Sequence, residues 1–279
     1  MDIIYYIKMI LIGLVQGLTE PLPISSSAHM TILKEMFNVE ISNISFEILI
    51  NFASSIAIGV FFRKKIYYLI KNTITNKQTK YKHLNRTYLL KLLIASIPIC
   101  IVGLLVKDKI SFLFSSTFFV SFFLLVTSLM LFLTSKMIQR KKILTDEISI
   151  FDSILIGLGQ SLAVAPGISR SGTTFFFGTS KNTKLESLFE FSFFLYLIAS
   201  FGSLVLSVID LDILSFINSQ NKLLLLVVFT TTFISTLFSI KLFHKILSKQ
   251  TILIFSIYTL LLGLFLLIYN LLLLIPMQI

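Results

Sequence analysis

Charge is scarce in this 279-residue chain. Only 13% of its residues are Asp, Glu, Lys or Arg, against roughly 25% in a soluble domain. So few charges cannot clothe a water-facing surface of this size. Cysteine is nearly absent too. Cys100 is the only one, which excludes an intramolecular disulfide, and inside an apolar run a lone thiol serves as a small apolar filler. Three histidines and one cysteine are too few for a zinc cluster. The first residues lack a basic n-region and a small-residue cleavage site, so they do not read as a signal peptide. No long polar region remains for a soluble domain. The expectation is a single membrane domain over 1–279.

What is present is apolar: 56% of the residues are hydrophobic, in runs near the ~20 residues that a helix needs to cross a bilayer. Six runs are long enough, near 45–62, 89–106, 117–135, 187–209, 223–241 and 251–275. Two further stretches, 3–39 and 151–183, are apolar but broken at their middles by Gly, Pro and hydroxyl residues. Irregular backbone is tolerated at membrane depth only where protein or a water-filled cavity satisfies it. These two stretches therefore read as re-entrant helical hairpins. The fold class expected is an all-α integral membrane protein with six transmembrane helices plus two such hairpins.

The net charge of +11 collects in short loops beside the apolar runs. That is the positive-inside pattern, not the folded basic face of a nucleic-acid binder, so no nucleic-acid partner is expected. The basic loops are 63–91, the one with Lys136, Arg140, Lys141 and Lys142, and the one with Lys241, Lys245 and Lys249. The loop at Lys107, Asp108 and Lys109 is short and mixed, and the one at Asp210 and Asp212 is acidic. Placing the basic loops in the cytoplasm lets all six spans alternate without conflict. The first hairpin then begins and ends outside, the second inside, and both termini fall outside.

The two hairpins resemble each other. GLVQGLTEPLPISSSAH at 13–29 aligns without a gap to GLGQSLAVAPGISRSGT at 157–173, pairing Gln16 with Gln160, Ser25 with Ser169 and Ser27 with Ser171. A Phe-Glu follows each copy, at Phe46-Glu47 and Phe189-Glu190. Each half, approximately 1–140 and 150–279, is a hairpin followed by three spans. Three is odd, so the second half inserts upside down, giving an inverted-topology repeat. Such repeats with broken helices place a polar site near the midplane.

Ionisable residues at membrane depth are expensive and mark function by default. The clearest are Glu20, His29, Glu47, Arg170 and Glu190. Ser26 and His29 are three apart, so a helical turn would put a hydroxyl and a base on one face. Alternatively, the serines only cap a half-helix. PGISRSGT at 166–173 reads as an anion cradle, with Ser169, Ser171, Gly172 and Thr173 supplying donors at a helix N-terminus. Arg170 either grips phosphate oxygens as a bidentate fork or pairs with Glu20 or Glu190 to hold the hairpins together. A carboxylate beside a phosphate calls for a cation between them. Mg²⁺ or Ca²⁺ is expected, with Glu20 the first candidate ligand and Gln16, Glu47 and Glu190 behind it.

With these residues in view, the chain resembles the undecaprenyl-diphosphatase family, also called bacitracin resistance proteins. GLVQGLTEPLPISSSAHM is similar to the family's E/Q-GLTE-x-x-P-I/V-SS-S/T-GH segment, and PGISRSGTT to its PG-x-SRSG-T segment. Weaker echoes are FEILINFASSIAI, IPICIVGLL and EFSFFL. The resemblance implies hydrolysis of undecaprenyl diphosphate, a polyprenyl diphosphate lipid drawn from the bilayer, on the outer side of the bacterial inner membrane. That recycles the lipid carrier of peptidoglycan synthesis and confers bacitracin resistance. It implies Ser26 as nucleophile, His29 as its base, Ser25 and Ser27 beside it, Arg170 on the phosphate with Ser169 and Ser171, and Glu20 as a metal-binding or catalytic carboxylate. Gln16 stands where many members have Glu, Pro21 where Phe is usual, and Asn51 and Ala53 where Gln and Gly are usual. Ala28 replaces a usual Gly, which tightens the turn before His29. The main rival is a polyprenyl-phosphate transporter or flippase, which needs the Arg but no nucleophile.

Overall fold

A computed structural model of the chain describes residues 3–39, 44–74, 80–114, 117–140, 145–180 and 183–274. Lys77, Lys141, Lys142 and the expected end of the last span at Ile275 lie outside the described residues, as do the side chains of Lys80, Lys82, Lys107, Asp108 and Lys109. The described residues form helices joined by short turns, with one isolated bridge between Thr145 and Thr183 and no strand.

The six spans appear where the apolar runs lie: α3 (Ile44–Phe61), α5 (Lys80–Phe114), α6 (Thr117–Arg140), α9 (Leu185–Ile209), α11 (Lys222–Ile246) and α12 (Lys249–Leu274). Several run past the apolar stretch into basic or polar sequence, because backbone hydrogen bonding continues after hydropathy ends. The two broken stretches are helix pairs, α1 (Ile3–Thr19) with α2 (Ser26–Phe37), and α7 (Ile150–Ser161) with α8 (Arg170–Ser180). Two helices were not expected. α4 (Arg63–Ile74) forms inside the basic segment read as a loop and exposes Tyr67, Tyr68, Ile70 and Ile74. α10 (Asp212–Ser219) follows the acidic turn and buries Ile213 and Phe216.

Lipid tails are as apolar as leucine, so helices in a bilayer associate through close packing and hydrogen bonds. The spans show this. Their outer faces expose Leu226, Phe238, Leu261 and Phe265, while their contacts are small or hydroxylated. α1 lies so close to α11 that a Cβ on Gly17 would sit 2.4 Å from the Thr232 carbonyl oxygen. α7 lies on α5 in the same manner, with a Cβ on Gly157 2.4 Å from the Ala95 carbonyl oxygen. Each hairpin therefore packs on the middle span of the other half. Thr236 donates to Ser54 (3.0 Å) and Ser239 to the Leu18 carbonyl (2.6 Å), joining α11 to α3 and α1. Between α6 and α12 the pairing is reciprocal: Ser128 donates to the Ser256 carbonyl (2.8 Å) and Ser256 to the Ser128 carbonyl (2.9 Å). An aromatic cluster of Phe62, Phe189, Phe193 and Phe243 fills the space around α9.

Candidate active site

The first break spans Glu20 to Ser25. Pro21 and Pro23 have no N–H to continue α1. α2 restarts at Ser26 because Ser25 caps it, its hydroxyl accepting from the Ala28 N–H (3.4 Å). Ser25 is left-handed, at φ 66°, a conformation that costs a non-glycine roughly 1–2 kcal/mol. Ala28, where the sequence places the tight turn, lies inside α2 and is buried. The turn is tight one position before the helix instead.

The second break passes through a single 3₁₀ turn (Leu162–Val164) and then Ala165 to Ser169. Gly167 is left-handed at φ 103°, and a Cβ there would lie 2.7 Å from the Val120 carbonyl oxygen. Only glycine meets both conditions. Thr127 of α6 pins this turn, donating to the Gly167 carbonyl (2.7 Å) and accepting from the Ser169 N–H (3.0 Å). The Gly167 N–H donates to the Ser27 hydroxyl (3.4 Å), so the two breaks touch. The N-termini of α2 and α8 begin there, at Ser26 and Arg170, and both favour negative charge.

Glu20 is the hub. Its side chain is 3% exposed and accepts from Gln16 Nε2 (2.9 Å), from the Ser26 hydroxyl (2.5 Å) and from the Arg170 guanidinium. Gln16 Nε2 also donates to Asn51 Oδ1 (2.8 Å). Arg170 lies 3.9 Å from the centroid of the Tyr196 ring. The Tyr196 hydroxyl donates to the Asn51 carbonyl (2.7 Å). Of the two readings open for Arg170, pairing with Glu20 is realised. A guanidinium has five N–H donors, so others remain for an anion in the cavity that Arg170 lines.

The Ser26–His29 pair expected from spacing does not form. Ser26 turns to Glu20. His29 Nδ1 meets the Ser25 carbonyl (2.8 Å), which can only accept, so Nδ1 carries a proton. In the neutral imidazole Nε2 is then an acceptor, and it takes the Tyr258 hydroxyl at 2.7 Å. His29 thus braces the strained cap at Ser25. In the cradle, Ser169 and Ser171 line the cavity with their hydroxyls 3.4 Å apart, as do Ser25 and Ser27 at 3.1 Å. Gly172 and Thr173, expected as phosphate donors, are engaged within α8 instead. The Gly172 N–H donates to the Ser169 hydroxyl (3.2 Å), and the buried Thr173 hydroxyl donates to the Arg170 carbonyl (2.7 Å).

The remaining carboxylates do not join Glu20. Glu47 lines the same cavity but pairs with Lys34 (2.5 Å). Glu190 pairs with Lys65 of α4 and lies outside the cavity lining. Among the described residues no cluster of three His, Cys, Asp or Glu could hold a metal alone. Gln16 turns its Nε2 donor to Glu20, so Glu20 is the carboxylate left for a cation; that suits Mg²⁺, which keeps waters and is bound through one or two carboxylates plus phosphate oxygens. It suits Ca²⁺, with its six to eight oxygens, less well.

The cavity measures about 2080 Å³. Beyond the polar end it continues along Ile99, Gly103 and Leu104 of α5 and Phe201, Gly202 and Leu206 of α9. Leu104, Phe201 and Leu206 are also exposed on the outer surface of the helices. Sequence reasoning missed Asn51 as a site residue, and missed Thr127, Tyr196 and Tyr258 altogether. Each is one polar group among several in a long apolar helix, and only tertiary packing brings it to the hairpins.

The profile of the family described as bacitracin resistance protein BacA matches residues 9–265. Similar curated proteins include undecaprenyl-diphosphatase 1 of Bacillus cereus, 35% identical over 95% of this chain and 98% of its own. Undecaprenyl-diphosphatase 1 of Bacillus licheniformis is 37% identical over 96% of this chain and 100% of its own. Undecaprenyl-diphosphatase of Oceanobacillus iheyensis is 35% identical over 92% and 94%.

Proposed function

The chain belongs to the bacitracin resistance protein BacA family, and from that premise we propose that it hydrolyses undecaprenyl diphosphate to undecaprenyl phosphate and inorganic phosphate. The observation that carries the mechanism is the convergence of Ser26, Glu20 and Arg170 at one end of the cavity. A serine hydroxyl is a weak nucleophile until a base takes its proton. Glu20, 2.5 Å away, is that base. As Ser26 Oγ bonds to the terminal phosphorus, its proton passes to Glu20. The bond from that phosphorus to the bridging oxygen breaks, and undecaprenyl phosphate leaves. Glu20 passes that proton to the departing undecaprenyl phosphate, then takes one from the water that attacks the phosphoserine and returns it to Ser26 Oγ as inorganic phosphate leaves. Arg170, the paired serines and the two helix N-termini face the charge that builds on the phosphoryl oxygens. A divalent cation held by Glu20 would neutralise diphosphate charge. His29 holds the Ser25 cap in shape rather than taking the Ser26 proton.

The apolar arm between α5 and α9 has the character for a prenyl chain reaching the site from the bilayer. The basic loops support an outward-facing site in a bacterial cytoplasmic membrane. The test is phosphate release by purified protein in detergent, where a carrier has no bilayer to cross. Ser26→Ala and Glu20→Gln each should lower kcat at least 100-fold, the scale of a lost nucleophile or general base. Undiminished release in Ser26→Ala would end its assignment as nucleophile.

A further inference from the structure

The hub at Glu20 is part of a closed circuit. Arg170 reaches Glu20, Glu20 reaches Gln16, Gln16 reaches the Asn51 side chain, and the Asn51 carbonyl accepts from Tyr196. Tyr196 closes the circuit by placing its ring face 3.9 Å from the Arg170 guanidinium carbon. Tyr196 lies on α9, is 3% exposed and lines the cavity. Its hydroxyl is tied to α3 backbone, so the ring plane is fixed by two different elements.

This contact differs in kind from every other one Arg170 makes. A ring face attracts a cation without accepting an N–H, so donors remain for oxygen. The attraction also lacks the directionality of a hydrogen bond. A guanidinium lying on the ring can turn its N–H groups from Glu20 toward an arriving anion while keeping its support. Arg170 otherwise has a long, flexible stem and a 24% exposed side chain, and would lose rotamer freedom on gripping a phosphate. The ring orders it beforehand.

We propose that Tyr196 is a positioning residue that holds the Arg170 guanidinium on its ring face, pre-ordered for the diphosphate while leaving N–H donors to exchange between Glu20 and the anion. The inference rests on the phosphatase reading for its substrate, but its own observable is diphosphate affinity.

The test uses full-length protein in detergent, with inorganic pyrophosphate as the probe anion, bound in calorimetry and used as an inhibitor of turnover. Tyr196→Leu should weaken pyrophosphate and raise KM about tenfold, the scale of a desolvated cation–π contact, with kcat within about threefold of the parent. Tyr196→Phe keeps the ring and should stay within about twofold in both. A merely structural role would lower kcat and the melting temperature together and leave KM in place. That pattern, or a Phe variant as weak as Leu, overturns the proposal. Should Leu fail to fold, Tyr196→Met takes its place. If neither folds, the Phe variant decides alone: parental affinity supports the ring, and a tenfold loss refutes it. If the parent protein binds pyrophosphate but releases no phosphate from undecaprenyl diphosphate, the phosphatase reading fails while the calorimetry still judges Tyr196.

Discussion

Ser26, Glu20 and His29 show how little sequence spacing says about proton transfer. Three residues of helix put Ser26 and His29 near one another, yet the hydroxyl goes to Glu20, six residues back across a proline-broken turn. The reason is that α2 begins at Ser26, so the chain ahead of it folds back instead of continuing the helix. His29 is left to the Ser25 carbonyl and to Tyr258, from the far end of the sequence. This assignment has a kinetic consequence. His29→Ala should lower kcat far less than Glu20→Gln does. Tyr258→Phe, which removes one neutral hydrogen bond of about 1 kcal/mol, should cost about fivefold in kcat. A loss in His29→Ala as deep as that in Glu20→Gln would return the base role to the imidazole.

At the scale of elements, the broken helices depend on a few positions where backbone approaches backbone. Gly157 touches the Ala95 carbonyl, and Gly167 combines a left-handed φ with the Val120 carbonyl at its α-carbon. Gly157→Val should destabilise by about 1–3 kcal/mol through overpacking of α7 on α5. Its thermal midpoint should fall while residual activity in the cold survives. Gly167→Ala should do more, because strain and contact coincide, and it should also displace Ser169 and Arg170 from the site. Thermal unfolding in detergent, read beside activity, separates the two. An unchanged midpoint in Gly167→Ala would contradict the observed turn. Gly167 was legible in the sequence as part of a break, and Gly157 only as a position of the repeat. What they touch was not, because Ala95 and Val120 lie in other spans.

For the whole molecule, the question is how a polar reaction meets an apolar substrate. One cavity joins the hub to the α5–α9 flank, and a Cβ at Gly103 or Gly202 would meet nothing within 4 Å. Gly103→Trp should therefore fill the arm. It should raise KM about tenfold for undecaprenyl diphosphate and leave hydrolysis of a short, soluble prenyl diphosphate unchanged. An equal loss on both substrates would show that the arm does not hold the chain. The sequence by itself determined the membrane class, the six spans, the two breaks and the identity of the hub residues, because hydropathy, proline and the cost of charge in lipid act locally along the chain. Tertiary structure decided which of those residues meet. It joined Glu20 to Arg170, diverted Glu47 and Glu190 to lysines, engaged Gly172 and Thr173 within α8, and brought Asn51, Thr127, Tyr196 and Tyr258 to the hairpins. Those pairings depend on how the helices pack, and nothing in the local chemistry of a serine or a tyrosine announces the partner that packing will bring.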